Sequence, residues 1–172
     1  MMTSFPENIP SILNAIVKVN PSKILDIWFW FWKFWLLARE AIYSIRAGKW
    51  ELLPKDNISV DWIEIAKYFL SLPYYKVIYD KTFDDLSCVV DGKGKDKEAN
   101  KYDLALLIDV IEHGSKEYWI EMLTKLLKNC NNILISTPKS VVFYKEDYYW
   151  EDCPKHETQW TKDDFSWFNI ED

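Results

Sequence analysis

Four acids fall at the carboxyl ends of segments that read as strands: Asp26, Glu64, Asp80 and Asp109. In an open parallel sheet, ligands bind outside those ends. A rim of carboxylates accepts hydrogen bonds from hydroxyl and amino groups and tolerates positive charge, but it repels phosphate. A ribose-bearing, cationic or zwitterionic ligand therefore suits it better than a polyphosphate. Solvated strand ends also carry acids, so for any one of the four the structural explanation weighs as much as function. Their recurrence at successive strands favours a ligand site.

Two further groupings have residue types that could ligate metal. Asp109, Glu112 and His113 are close in sequence, yet acids at a helix start are favoured by the helix dipole, and the structural reading is preferred. Cys153 and His156 make a C-x-x-H pair with no second pair to complete a zinc set. No metal is expected from either grouping, and His156 and Trp160 are expected to position the tail. No GxSxG, HExxH or P-loop pattern is present.

The elements that must carry these residues alternate. Residues 1–20 form a lead-in segment in which Ile12, Leu13, Ile16 and Val17 share a helical face from Pro10 to Asn20. Lys23 to Ile27 is a compact apolar run with the pattern of a strand buried on both faces. Helix spacing then runs through Phe34, Leu37, Ala38, Ala41, Ile42 and Ile45. Ile58 to Ile65 reads as a second strand, Ala66 to Leu72 as a short helix and Lys76 to Tyr79 as a third strand. A polar, Gly- and Lys-rich stretch at 91–100 is expected to be a flexible surface loop.

Leu104 to Ile108 follows as the fourth strand, and Ser115 can cap a helix whose apolar face is Trp119, Met122, Leu123, Leu126, Leu127 and Cys130. Ile133 to Ser136 is the fifth strand, and a last strand could begin at Phe168 to Glu171. Strands alternating with helices imply an α/β fold with a doubly wound, mostly parallel sheet. The 172 residues are expected to form a single domain.

Composition narrows the partners. Apolar residues make up 49% and charged residues 28%, as in a globular protein. The net charge is −6 with no basic stripe, so no nucleic-acid partner is expected. Three scattered cysteines (Cys88, Cys130, Cys153) and a start without a basic region and apolar run point to reduced thiols and a cytoplasmic location.

Residues 24–38 read ILDIWFWFWKFWLLA. The apolar stretch is only about 15 residues long and carries Asp26 and Lys33, against the roughly 20 needed to span a bilayer. Interfacial anchoring, which Trp favours, lacks the basic polar face it would need, and a membrane partner is not expected.

ILDI, a short loop and KFWLLARE together resemble the first motif of class I S-adenosylmethionine-dependent methyltransferases, acid-x-Gly-x-Gly-x-Gly after the first strand. Asp26 matches the motif acid, and Trp28, Trp30 and Trp32 stand at its glycine positions. VDWIEI resembles the second-strand motif, with Trp62 at a glycine position. YDLALLIDVIEH is similar to the fourth-strand motif, NILISTPKS to the fifth, and HETQWTKDDFSWF to the segment before the last strands, with Trp167 where Gly-Phe is usual. The matches run in order over roughly residues 5–172.

The resemblance implies a Rossmann-like fold with strand order 3-2-1-4-5 and an antiparallel edge pair that this chain looks too short to complete. It implies S-adenosylmethionine as cofactor, with Glu64 on the ribose hydroxyls, and Asp26, Asp80, Asp109 and the positions of Trp28, Trp30 and Trp32 around the cofactor. It also implies methyl transfer to a small-molecule or other unidentified acceptor, bound within 138–172 by residues from Ser140 to Trp160. No obligatory catalytic residue is implied, because the sulfonium is already activated and positioning carries the reaction.

The chain departs from the family in a consistent direction: ten tryptophans stand against four glycines. Glycines in such a loop permit positive φ and let a cofactor approach the main chain. An indole covers on the order of 150–250 Å² when buried and would fill that space. Trp28, Trp30, Trp32 and Trp62 are therefore expected to block the cofactor. A non-catalytic or fold-disrupted scaffold and an aromatic-rich interface-binding module are the alternatives.

Overall fold

The computed structural model describes residues 8–27, Leu37, Ile42, 102–139 and 156–168, and the backbone of 59–63. The expected strand at 76–79, the helix at 66–72, the loop at 91–100, and Trp28, Trp30, Trp32, Glu64, Asp80, Cys88 and Cys153 lie outside them.

The chain enters through α1 (Ile9–Val19), with Pro10 in the first turn, where the missing N–H leaves no intrahelical bond unmade. Asn20 ends it with φ 49°, a left-handed conformation that asparagine tolerates better than most residues, and its N–H donates to the Ile16 carbonyl at 3.0 Å. Strand β1 (Lys23–Ile27) follows at once. Leu37 and Ile42 are helical, as the spacing predicts.

Strands β2 (Ser59–Ile63), β3 (Tyr102–Ile108) and β4 (Cys130–Ser136) complete a four-stranded sheet of order β2-β1-β3-β4. Every pairing is parallel, and Asp26 stands in register with Trp62 on one side and Leu106 on the other. The fold is α/β.

Successive strand side chains point to opposite faces, so the buried residues divide into two cores. On one face Ile24, Leu104 and Leu106 pack with Ile12 and Ile16 of α1 and with Ile42. On the other, Leu25, Ile27, Ala105 and Leu107 pack with Trp119, Met122, Leu123 and Leu126 of α2 (Lys116–Asn129) and with Trp160. Burial on both faces explains why β1 and β3 are largely apolar without regular polar alternation.

Ser115 caps α2 as expected, its hydroxyl accepting from the Tyr118 N–H at 3.2 Å. Two residues of the expected apolar face are placed differently. Leu127 is 43% exposed, because at about 100° per residue it falls at the margin of the stripe centred on Trp119 and Leu126. Cys130 is buried but extended: it opens β4, which starts earlier than the sequence spacing predicts, and pairs in register with Tyr102. Phe168 lies beyond the single helical turn Lys162–Phe165 and donates its N–H back to the Phe165 carbonyl at 2.9 Å; the rest of the expected last strand, Asn169 to Glu171, lies outside the described residues.

Candidate functional site

Strand order reverses between β1 and β3: β2 follows β1 on one side, and the chain then crosses to place β3 on the other. The carboxyl ends of β1 and β3 therefore flank a topological switch point, where such sheets leave a crevice. Two of the four predicted acids are described there. Asp109 directly follows β3, as expected. Asp26 lies within β1 rather than after it; the strand continues to Ile27, and Asp26 is buried between its two neighbours. Glu64 and Asp80 lie outside the described residues.

Asp109 has φ 55°. A non-glycine residue in the left-handed region costs roughly 1–2 kcal/mol, least for Asn and Asp, and such strain is held only where surrounding contacts fix it. Here the Asp109 N–H donates to the Ser136 carbonyl at 2.7 Å, tying the ends of β3 and β4 together. The backbone then enters the single helical turn Ile111–His113.

That turn carries Glu112, 2% exposed. One carboxylate oxygen accepts from the Thr137 hydroxyl at 3.3 Å, while the other, Oε1, is buried with no hydrogen-bond partner among the described residues. Burial pushes the carboxyl up from 4.5 to about 7; the negative charge of Asp109 adds to the rise, and the backbone and Thr137 hydrogen bonds oppose it.

The tail packs directly on this turn. The Glu112 carbonyl accepts from the N–H groups of Glu157 at 2.7 Å and Thr158 at 3.1 Å. The Thr158 hydroxyl donates to the Gly114 carbonyl at 2.6 Å, and the Trp160 indole N–H to the Ile111 carbonyl at 2.9 Å. These four bonds bring His156 against His113, rings edge to face with centroids 4.6 Å apart. Burial lowers the His156 pKa, favouring the neutral imidazole. Glu112, His113 and His156 each present one ligand-capable atom, all within 4.8 Å of one another.

The sequence groups Glu112 with Asp109 and His113, and His156 with Cys153; the fold instead joins Glu112, His113 and His156. The chain has two histidines, and both are in this cluster. Their shared neighbourhood carries no local sequence signal, since it depends on how the tail crosses the 111–114 turn. Trp160 does position the tail, as expected.

No family model, curated protein or solved structure matches the chain. Among the described residues, no helix is long and apolar enough to cross a membrane.

Proposed function

We propose that the chain has the Rossmann-like, doubly wound scaffold of S-adenosylmethionine-dependent methyltransferases, with its cofactor site obstructed by Trp28, Trp30, Trp32 and Trp62. One observation carries this reading. The four described strands run parallel in the order that the family resemblance implies for its strands 2, 1, 4 and 5, with Asp26 and Asp109 near the switch point. Acids there suit the hydroxyl groups and the cationic, amino-acid end of S-adenosylmethionine, and disfavour a dinucleotide pyrophosphate.

Within this reading, a glycine-bearing form of the chain would transfer a methyl group to an unidentified acceptor, bound on the side of residues 138–172. The tryptophan-bearing form acts as a scaffold without turnover.

Isothermal titration with S-adenosylmethionine tests both halves. The chain as it stands is expected to show no binding, and replacement of Trp28, Trp30, Trp32 and Trp62 by glycine to restore it. Micromolar binding by the unaltered chain, about −8 kcal/mol, overturns the obstruction. A folded glycine form that binds no S-adenosylmethionine overturns the methyltransferase reading.

A further inference from the structure

We propose that Glu112, His113 and His156 bind one zinc ion. The inference stands apart from the methyltransferase reading: it rests on three side chains that the fold brings together and on none of the tryptophan-bearing loop.

Three observations support it independently. The donor set is one carboxylate and two imidazoles, a combination zinc takes in three-ligand sites that keep a fourth position for water or a substrate oxygen. The ligand-capable atoms already lie within 4.8 Å of one another. A tetrahedral zinc with bonds of about 2.0–2.2 Å holds its ligands about 3.3 Å apart, so the three must draw in by about 1.5 Å at most.

The second observation is the state of Glu112. A carboxylate oxygen buried without a partner is costly, and a native fold keeps one only when something else satisfies it. Among the described residues, Oε1 of Glu112 is such an atom. A cation held between it and the imidazoles would neutralise the carboxylate and also offset the nearby charge of Asp109.

Third, the surroundings hold the ligands in place. Thr137 donates to the second oxygen of Glu112, the outer contact that orients a ligating carboxylate. The bonds from Glu157, Thr158 and Trp160 fix the segment bearing His156 onto the turn bearing the other two residues. The ion would thus join the end of β3 to the tail beside the switch point.

The test uses the full chain, stripped of metal with EDTA and titrated with zinc chloride by calorimetry in a non-chelating buffer. One zinc per chain is expected. Glu112→Gln, His113→Ala and His156→Ala should each weaken binding by about tenfold or more, since even loss of an outer contact costs that much. Circular dichroism in EDTA checks that each variant folds. In parallel, cobalt(II) is added to the unaltered chain and its visible spectrum recorded. Tetrahedral d–d bands without sulfur charge transfer are expected, and this arm decides the question if a variant fails to fold. Absence of zinc binding, binding that survives loss of both histidines, or a cobalt spectrum dominated by thiolate charge transfer each overturns the site.

Discussion

The indole N–H of Trp160 donates to the carbonyl of Ile111 at 2.9 Å, a buried hydrogen bond between residues 49 positions apart. It fastens the tail to the turn that follows β3, and Trp160 also stacks on Phe165 with centroids 5.1 Å apart. Trp160→Phe keeps an aromatic ring but leaves the buried carbonyl without this donor. The expected cost is about 1–3 kcal/mol, a fall in Tm of roughly 2–10 °C by scanning calorimetry. An unchanged Tm would show that the tail is held by other contacts.

Gly114 gives a second prediction. A β-carbon built there would stand 2.9 Å from Nε1 of Trp119, a fully buried ring. The backbone at Gly114 is extended, φ −156°, so the constraint is space and not conformational strain. Gly114→Ala should cost about 1–3 kcal/mol by displacing that indole, detectable by urea denaturation as a lower midpoint with an unchanged slope.

At the opposite end of the sheet, Asp103 joins three strands. Its Oδ2 accepts from the N–H groups of Ser22 at 2.8 Å and Lys23 at 2.9 Å, and its carbonyl accepts from the Asn132 amide at 3.0 Å. Asp103→Ala removes two charge-assisted bonds to the start of β1 and should cost about 2 kcal/mol. Asp103→Asn retains an acceptor and should lose less; equal losses in the two variants would argue against these bonds.

Acid sensitivity should report on the contact between α2 and the tail. Asp164 is held below its ordinary 3.8 first by the hydrogen bond from Lys116, at 2.6 Å, and then by the backbone hydrogen bond from Thr161. Because the folded-state pKa is depressed, the stabilisation is present above the unfolded value of 3.8 and is lost as pH falls through the lower folded value. Tm measured against pH should therefore fall more steeply below that point in the unaltered chain than in Asp164→Asn. Parallel curves would mean that the pair contributes nothing in solution.

In the glycine-bearing form, Glu64→Ala should weaken S-adenosylmethionine binding by removing the proposed ribose acceptor. A charge-assisted hydrogen bond contributes roughly 1.5–3 kcal/mol, on the order of tenfold to a hundredfold in Kd by calorimetry. An unchanged Kd would make Glu64 a solvated strand end.

The sequence by itself determined what depends on neighbours along the chain. A compact apolar run marked β1 as a strand buried on both faces, the runs Leu104 to Ile108 and Ile133 to Ser136 marked the strands β3 and β4, and Ser115 ahead of Trp119, Met122, Leu123 and Leu126 marked the cap and packed side of α2. Alternation of strands and helices implied the parallel sheet. These signals are local because a side chain's face follows from the backbone period, and the period is written in each segment.

Tertiary structure decided the contacts between distant segments. The left-handed backbone at Asp109 lies where β3 is tied to β4 and turns toward residues 111–113. The start of β4 at Cys130 was set by pairing with Tyr102, a register that no helix-spacing rule contains. His156 reached Glu112 and His113 because four hydrogen bonds lay the tail across that turn, all of them to the main-chain carbonyls of Ile111, Glu112 and Gly114, which any residue type would present. Main-chain acceptors have no residue-specific signature. The meeting of two histidines and a buried acid therefore becomes visible only once the chain is folded.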